Sequence, residues 1–130
     1  MCETKIRYYT PPTDKSITIR ALLLSAIAVG SARIENPLRC EDTEAAVSCL
    51  GALGVKVSCD GSAYLVEGRG LKGLVKPVSK LDAGESGALS RLLAGILAGQ
   101  AFPSLITGRG SLLKRPMEGL AGALKKLGAD

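Results

Sequence analysis

The sequence has no histidine and no tryptophan, one phenylalanine and three tyrosines. Without His, imidazole acid–base chemistry and imidazole metal ligation are excluded. With so few aromatics, the core has to be built from Leu, Ala, Val and Ile, and a base-stacking nucleic-acid surface lacks its main element. The four cysteines, Cys2, Cys40, Cys49 and Cys59, show no Cys-x-x-Cys spacing. They do not make a zinc pattern and read as reduced thiols of a cytoplasmic protein. Long apolar runs are also missing. Lys5, Arg7, Lys15 and Arg20 followed by Ala21–Val29 and Ser31-Ala32 imitate a signal peptide. Glu3 and Asp14 interrupt the basic part, and the apolar stretch starts late and is too short to span a membrane. It reads as a buried helix, and no membrane partner is expected.

What is present fits one compact α/β domain. The chain has 130 residues, 46% of them hydrophobic, enough to bury a core. A net charge of +5 points to acidic partners: nucleic acid, an anionic lipid surface or small anionic metabolites. The cations are dispersed, which favours small anions over nucleic acid.

Pro12-Thr13-Asp14-Lys15-Ser16-Ile17-Thr18-Ile19-Arg20 is the organising stretch. Asp14 is placed to cap a helix, after prolines that keep the chain extended. That helix offers free N–H groups and a positive dipole end, with Lys15, Ser16 and Arg20 around it. Lys5 to Tyr9 reads as a strand before it. The helix runs over Ser16–Val29, apolar on nearly all sides, with Gly30 at its C′ position. Ala32 to Asn36 alternates as a strand, and Asp42-Thr43-Glu44 opens a second helix that Gly54 ends. Val55–Cys59 and Ala63–Glu67 form a hairpin around Asp60-Gly61.

The pattern then restarts. Pro77–Asp82 holds a short strand, Ser86–Ala98 a helix, Phe102–Thr107 a strand and Pro116–Leu127 a last helix. The run from Arg20 to Ala28 recurs in altered form from Arg91 to Ala98, and Leu50–Gly54 recurs as Leu124–Gly128. The offset of roughly 70–75 positions predicts an internal repeat. Unit one covers roughly 4–68, and a shortened unit two roughly 75–130, lacking the closing hairpin.

Three clusters fall at predicted helix starts: Lys15, Ser16 and Arg20; Gly84-Glu85-Ser86-Gly87 with Arg91; and Ser111 to Met117, including Lys114 and Arg115. In a repeat, equivalent helix starts gather at one end of the domain. Lys15, Arg20, Arg91 and Arg115 then form one anion site. Taken singly, each reads as a solvated surface charge.

At these residues the chain resembles the N-terminal part of the 5-enolpyruvylshikimate-3-phosphate synthases. That family opens with P-G-D-K-S-I-S-H-R-A-L-L-L, which stands here as Pro12-Thr-Asp-Lys-Ser-Ile-Thr-Ile-Arg20-Ala-Leu-Leu-Leu24. Its acidic D-T before a helix ending in L-G matches Asp42-Thr43 and Leu53-Gly54. Its middle motif, N-x-G-T or E-S-G-[ST] with a downstream Arg, matches Glu85-Ser86-Gly87-Ala88 and Arg91, and its R-P-M matches Arg115-Pro116-Met117. The markers keep their order along almost the whole chain.

The resemblance implies repeated β-α-β-α-β-β units, about one and a half to two of them here, making residues 1–130 a partial enolpyruvyl transferase domain. It implies transfer of the enolpyruvyl group of phosphoenolpyruvate to the 5-hydroxyl of shikimate 3-phosphate, a step of the shikimate pathway, with no metal or organic cofactor. It implies that Lys15 lies between both substrates and assists catalysis. Ser16 and Arg20 hold the shikimate moiety, Gly87 and Arg115 bind phosphoenolpyruvate, and Arg91 supports that pocket. Its partners are the two substrates and the remainder of an enzyme chain, without which this chain is expected to be inactive. Three residues depart from the pattern: Thr13 for Gly, Ile19 for His, and Ala88 for Thr or Ser. They bear on substrate affinity rather than fold. The alternatives are the sister transferase acting on UDP-N-acetylglucosamine, which has Lys-Asn at the position of Lys15-Ser16, and a non-catalytic anion- or RNA-binding module on the same fold.

Overall fold

The computed structural model describes residues 12–129. The strand expected over Lys5–Tyr9, and Cys2, lie outside them.

Helix α1 spans Lys15–Ile27. Asp14 caps it: its carboxylate accepts the Ile17 N–H at 2.8 Å. Thr18 fixes the entry, its hydroxyl donating to the Asp14 carbonyl at 2.8 Å and accepting the Leu38 N–H at 3.0 Å. The helix buries one face, Thr18, Ile19, Leu22, Leu23 and Ala26. The expected all-round burial does not hold, because Leu24 is 64% exposed. Nor does Gly30 cap the helix. α1 stops at Ala28, and strand β1 (Val29–Ile34) begins at once, with Gly30 inside it. The end of α1 is closed by a strand instead of a glycine. Gly70 N–H donates to the Ala28 carbonyl at 2.8 Å. A Cβ on Gly68 would stand 2.3 Å from the Ala28 carbonyl oxygen, so only glycine permits that approach.

Helix α2 spans Glu41–Ala52, one residue earlier than Asp42. The reason is Thr43, whose hydroxyl accepts the Cys40 N–H at 2.9 Å and makes Cys40 the cap. Glu41, Asp42 and Glu44 then occupy the first turn, where the helix dipole favours acids. Strands β2 (Lys56–Asp60) and β3 (Ala63–Arg69) form the expected hairpin, with Asp60 paired to Ala63 across Gly61-Ser62. The antiparallel sheet has the order β1-β3-β2, with Ala32 opposite Val66 and Val57 opposite Val66 on its other side. Its central strand turns Tyr64 and Val66 into the core.

Strand β4 (Leu81–Asp82) pairs in parallel with β5 (Ile106–Thr107), and helix α3 (Gly87–Ala98) crosses between them. Both strands are shorter than expected. Pro77 and Pro103 have no N–H to offer a ladder, which limits how far each can extend. A 3-10 helix over Gly110–Lys114, not foreseen, precedes helix α4 (Glu118–Lys126). α4 starts two residues later than Pro116. Arg115, the residue before that proline, is extended at φ −86° and ψ 130°.

Ile19 and Leu22 of α1, Leu50 of α2 and Leu89 and Leu93 of α3 meet in one core with Leu53 and Leu81, each at most 1% exposed. This core holds the N-terminal ends of α1, α2 and α3 in fixed relation. The fold is α/β, mixing helices with one antiparallel and one parallel sheet. Among the described residues, no helix is long and apolar enough to cross a membrane.

Candidate functional site

The cation cluster lies around the starts of α1 and α3. Lys15 opens α1, and its ammonium meets the Asp42 carboxylate of α2's first turn at 2.9 Å. That hydrogen bond, and then the Asp42 charge, raise the Lys15 pKa above the ordinary lysine value. Lys15 therefore stays an ammonium well past neutral pH. Arg115 is near enough for its charge to oppose the Lys15 ammonium.

Gly87 is the first residue of α3, after Ser86, whose hydroxyl caps the helix by accepting the Leu89 N–H at 3.2 Å. The bare Cα of Gly87 faces two guanidiniums. A Cβ there would lie 2.5 Å from Nη1 of Arg115 and 2.8 Å from Nη1 of Arg91. Arg91 sits one turn along α3 and donates to the Gly87 carbonyl at 3.3 Å and to the Pro116 carbonyl at 3.2 Å. Arg115 donates to Ser111 Oγ at 3.4 Å. The two arginines thus flank the start of α3, where helix N–H groups also point outward. Together these groups can bind a phosphate or carboxylate by charge-assisted hydrogen bonds.

Of the six sequence-chosen residues, the geometry brings Gly87, Arg91 and Arg115 together, and Lys15, held on Asp42, stands within electrostatic reach of Arg115. Ser16 and Arg20 share one face of α1, a turn apart, and Arg20 is exposed. No hydrogen bond or ion pair among the described residues joins either of them to the cluster. One expectation needs correction. Arg115 does not open a helix; it is the extended residue that follows the 3-10 turn. The third helix start therefore does not contribute, and Arg115 reaches the cluster by its side chain alone.

Sequence reasoning missed Asp42 as the partner of Lys15. It also missed Arg109, whose guanidinium lies 3.6 Å from both Asp82 and Glu41. Nothing in linear spacing links these residues; only the packing of α1 on α2 and of β4 on β5 does. A groove of about 880 Å³ lies elsewhere, between α3 and α4 and lined by Leu97, Phe102 and Leu124. It contains none of the clustered cations. Among the described residues, no group of three or more His, Cys, Asp or Glu could hold a metal ion.

The family model for EPSP synthase (3-phosphoshikimate 1-carboxyvinyltransferase) matches residues 8–130. The 3-phosphoshikimate 1-carboxyvinyltransferase of Alkaliphilus metalliredigens (strain QYMF) is 48% identical over 120 residues, 92% of this chain and 28% of that relative. The protein of the same name from Pelotomaculum thermopropionicum is 48% identical over 119 residues, again 28% of its length. An EPSP synthase structure from Acinetobacter baumannii superposes with a TM-score of 0.87 at 38% identity, covering 94% of this chain and 28% of that one. The chain spans a little over a quarter of the length of these relatives. Matched over nearly all of its residues by the family model and in three dimensions by a solved member, the chain belongs to the EPSP synthase family.

Proposed function

We propose that this chain supplies an anion-binding face of an enolpyruvyl transfer site that takes shikimate 3-phosphate and phosphoenolpyruvate. The observation that most supports this is the bare Cα of Gly87 beneath the guanidiniums of Arg91 and Arg115, with the Lys15 ammonium close by. Both substrates carry a phosphate and a carboxylate, and cations from α1, α3 and the 3-10 turn answer that charge.

In this reading Arg115 binds phosphoenolpyruvate, Gly87 lets it approach the backbone, and Arg91 supports the pocket. Ser16 and Arg20 hold the shikimate moiety, Arg20 with its fork on the carboxylate. In the reaction, the methylene carbon of phosphoenolpyruvate gains a proton while the 5-hydroxyl loses one and its oxygen bonds to the adjacent carbon. The tetrahedral intermediate then expels phosphate and gives up a methyl proton to restore the enol ether. Lys15 stands between the substrates. Its raised pKa keeps it a fixed positive charge and hydrogen-bond donor near neutral pH, able to neutralise phosphate charge beside the reacting hydroxyl.

The reading makes the remainder of a longer enzyme chain the partner of this one, and assigns turnover to the whole. It treats residues roughly 4–68 and 75–130 as two units of one repeat, the offset of roughly 70–75 positions supporting that division. It places the protein in the cytoplasm, which the free thiols of Cys40, Cys49 and Cys59 support. No metal or organic cofactor enters it.

Arg20 gives the test. It is exposed and makes no hydrogen bond or ion pair among the described residues, so its removal should leave the thermal midpoint unchanged. Arg20→Ala should instead abolish shikimate 3-phosphate binding, measured by calorimetry. A lowered midpoint with binding retained would make Arg20 a structural residue and sink this assignment.

A further inference from the structure

We propose that Glu85 is a positioning residue: its carboxylate fixes the 3-10 turn so that Arg115 reaches the anion site above Gly87. The inference rests on the reading of Arg115 given above. Contacts between two loops carry it. The loop before α3 meets the loop after β5, where the Arg109 N–H donates to the Gly84 carbonyl at 2.8 Å. Next to it, the Ser111 N–H donates to Glu85 Oε2 at 3.2 Å. The first amides of a helical turn have no partner within the turn, and here the Glu85 side chain takes one of them.

Gly110 shows how close the fit is. It lies at φ +56°, and a Cβ on it would stand 2.4 Å from Glu85 Oε1. At the far end of the turn, the Arg115 N–H donates to the Leu112 carbonyl at 3.1 Å, and its Nη2 to Ser111 Oγ at 3.4 Å. A continuous path therefore runs from Glu85 through Ser111 to the Arg115 guanidinium. Gly87, two residues after Glu85, receives that guanidinium. The α3 loop thus both shapes the site and holds the arginine that completes it.

Positioning and plain electrostatics predict opposite signs. An acid beside an anion site repels the ligand, so its removal alone strengthens binding. Loss of a clamp weakens it. Phosphoenolpyruvate is titrated into the wild-type chain and into Glu85→Ala, Glu85→Gln and Gly110→Ala. Glu85→Ala should bind roughly tenfold more weakly, the size of one lost hydrogen bond to a charged group. Glu85→Gln keeps an acceptor for Ser111 and loses the charge, so it should bind at least as well as wild type. Gly110→Ala pushes the carboxylate aside and should behave like Glu85→Ala. The Ser111 amide should exchange faster in Glu85→Ala and Gly110→Ala but not in Glu85→Gln.

Equal or tighter binding in Glu85→Ala overturns the positioning role while leaving the anion site intact. No binding by the wild-type chain overturns the anion-site reading, and this inference with it. If Glu85→Ala fails to fold, Glu85→Gln and Gly110→Ala decide by the same comparison.

Discussion

Arg115→Ala should weaken phosphoenolpyruvate binding by roughly ten- to hundredfold, the worth of charge-assisted hydrogen bonds to an anion. The fold should be unaffected. Arg115 is exposed and extended, and among the described residues its side chain makes one long hydrogen bond, to Ser111 Oγ at 3.4 Å. Gly87→Ala should reach a similar loss by another route. The new methyl group would occupy the space now 2.5 and 2.8 Å from two guanidinium nitrogens. Both are tips of flexible side chains, so they swing away at little cost. Alanine at the first position of α3 also favours the helix. Stability should therefore hold while the anion site opens. Isothermal calorimetry beside thermal unfolding checks both variants. Unchanged affinity in both would mean that the arginines around Gly87 are only surface charges.

Leu23→Ala should cost about 2–5 kcal/mol of folding stability, the usual range for emptying a buried leucine site. Leu23 is 2% exposed in the face of α1 that meets the common core. That face also fixes where Lys15 stands relative to α2 and α3. Denaturant unfolding measures the loss. Leu24→Ala is the internal control, because Leu24 is 64% exposed and should lose little. Equal costs at the two positions would contradict the one-sided burial of α1.

Local chemistry made much of the fold readable. Asp14 ahead of an apolar run announces a helix start, and the Asp14 cap is there. Alternation on either side of Asp60-Gly61 announces a hairpin, and β2 and β3 pair across it. Where a distant segment did the work, linear reading failed. At the end of α1, Gly68 of β3 lets that strand pass close and Gly70, just after it, donates to the Ala28 carbonyl, and nothing near Ala28 signals that. Arg115 before Pro116 carried a usable signal, since a residue before proline avoids the helical region.

The same division applies to the site. Residue types and helix starts marked Lys15, Arg20, Arg91 and Arg115 for an anion site; Arg91 and Arg115 meet at Gly87 with Lys15 in electrostatic reach of Arg115, and no contact among the described residues joins Arg20 to them. The pairing of Lys15 with Asp42 depends on α1 packing against α2, and the grip of Glu85 on Ser111 on two loops meeting. Neither is encoded in spacing. Ser16 and Arg20 were marked by the same helix start, their hold on the shikimate moiety by resemblance to a motif, and their worth rests on ligand binding.

The most direct test of the anion-site account is a two-dimensional amide NMR titration of this chain with shikimate 3-phosphate. The account predicts selective shifts across Lys15–Arg20 and at Gly87, with the β2–β3 hairpin unmoved. A well-dispersed spectrum in which the ligand moves nothing, or moves only the hairpin, would contradict it.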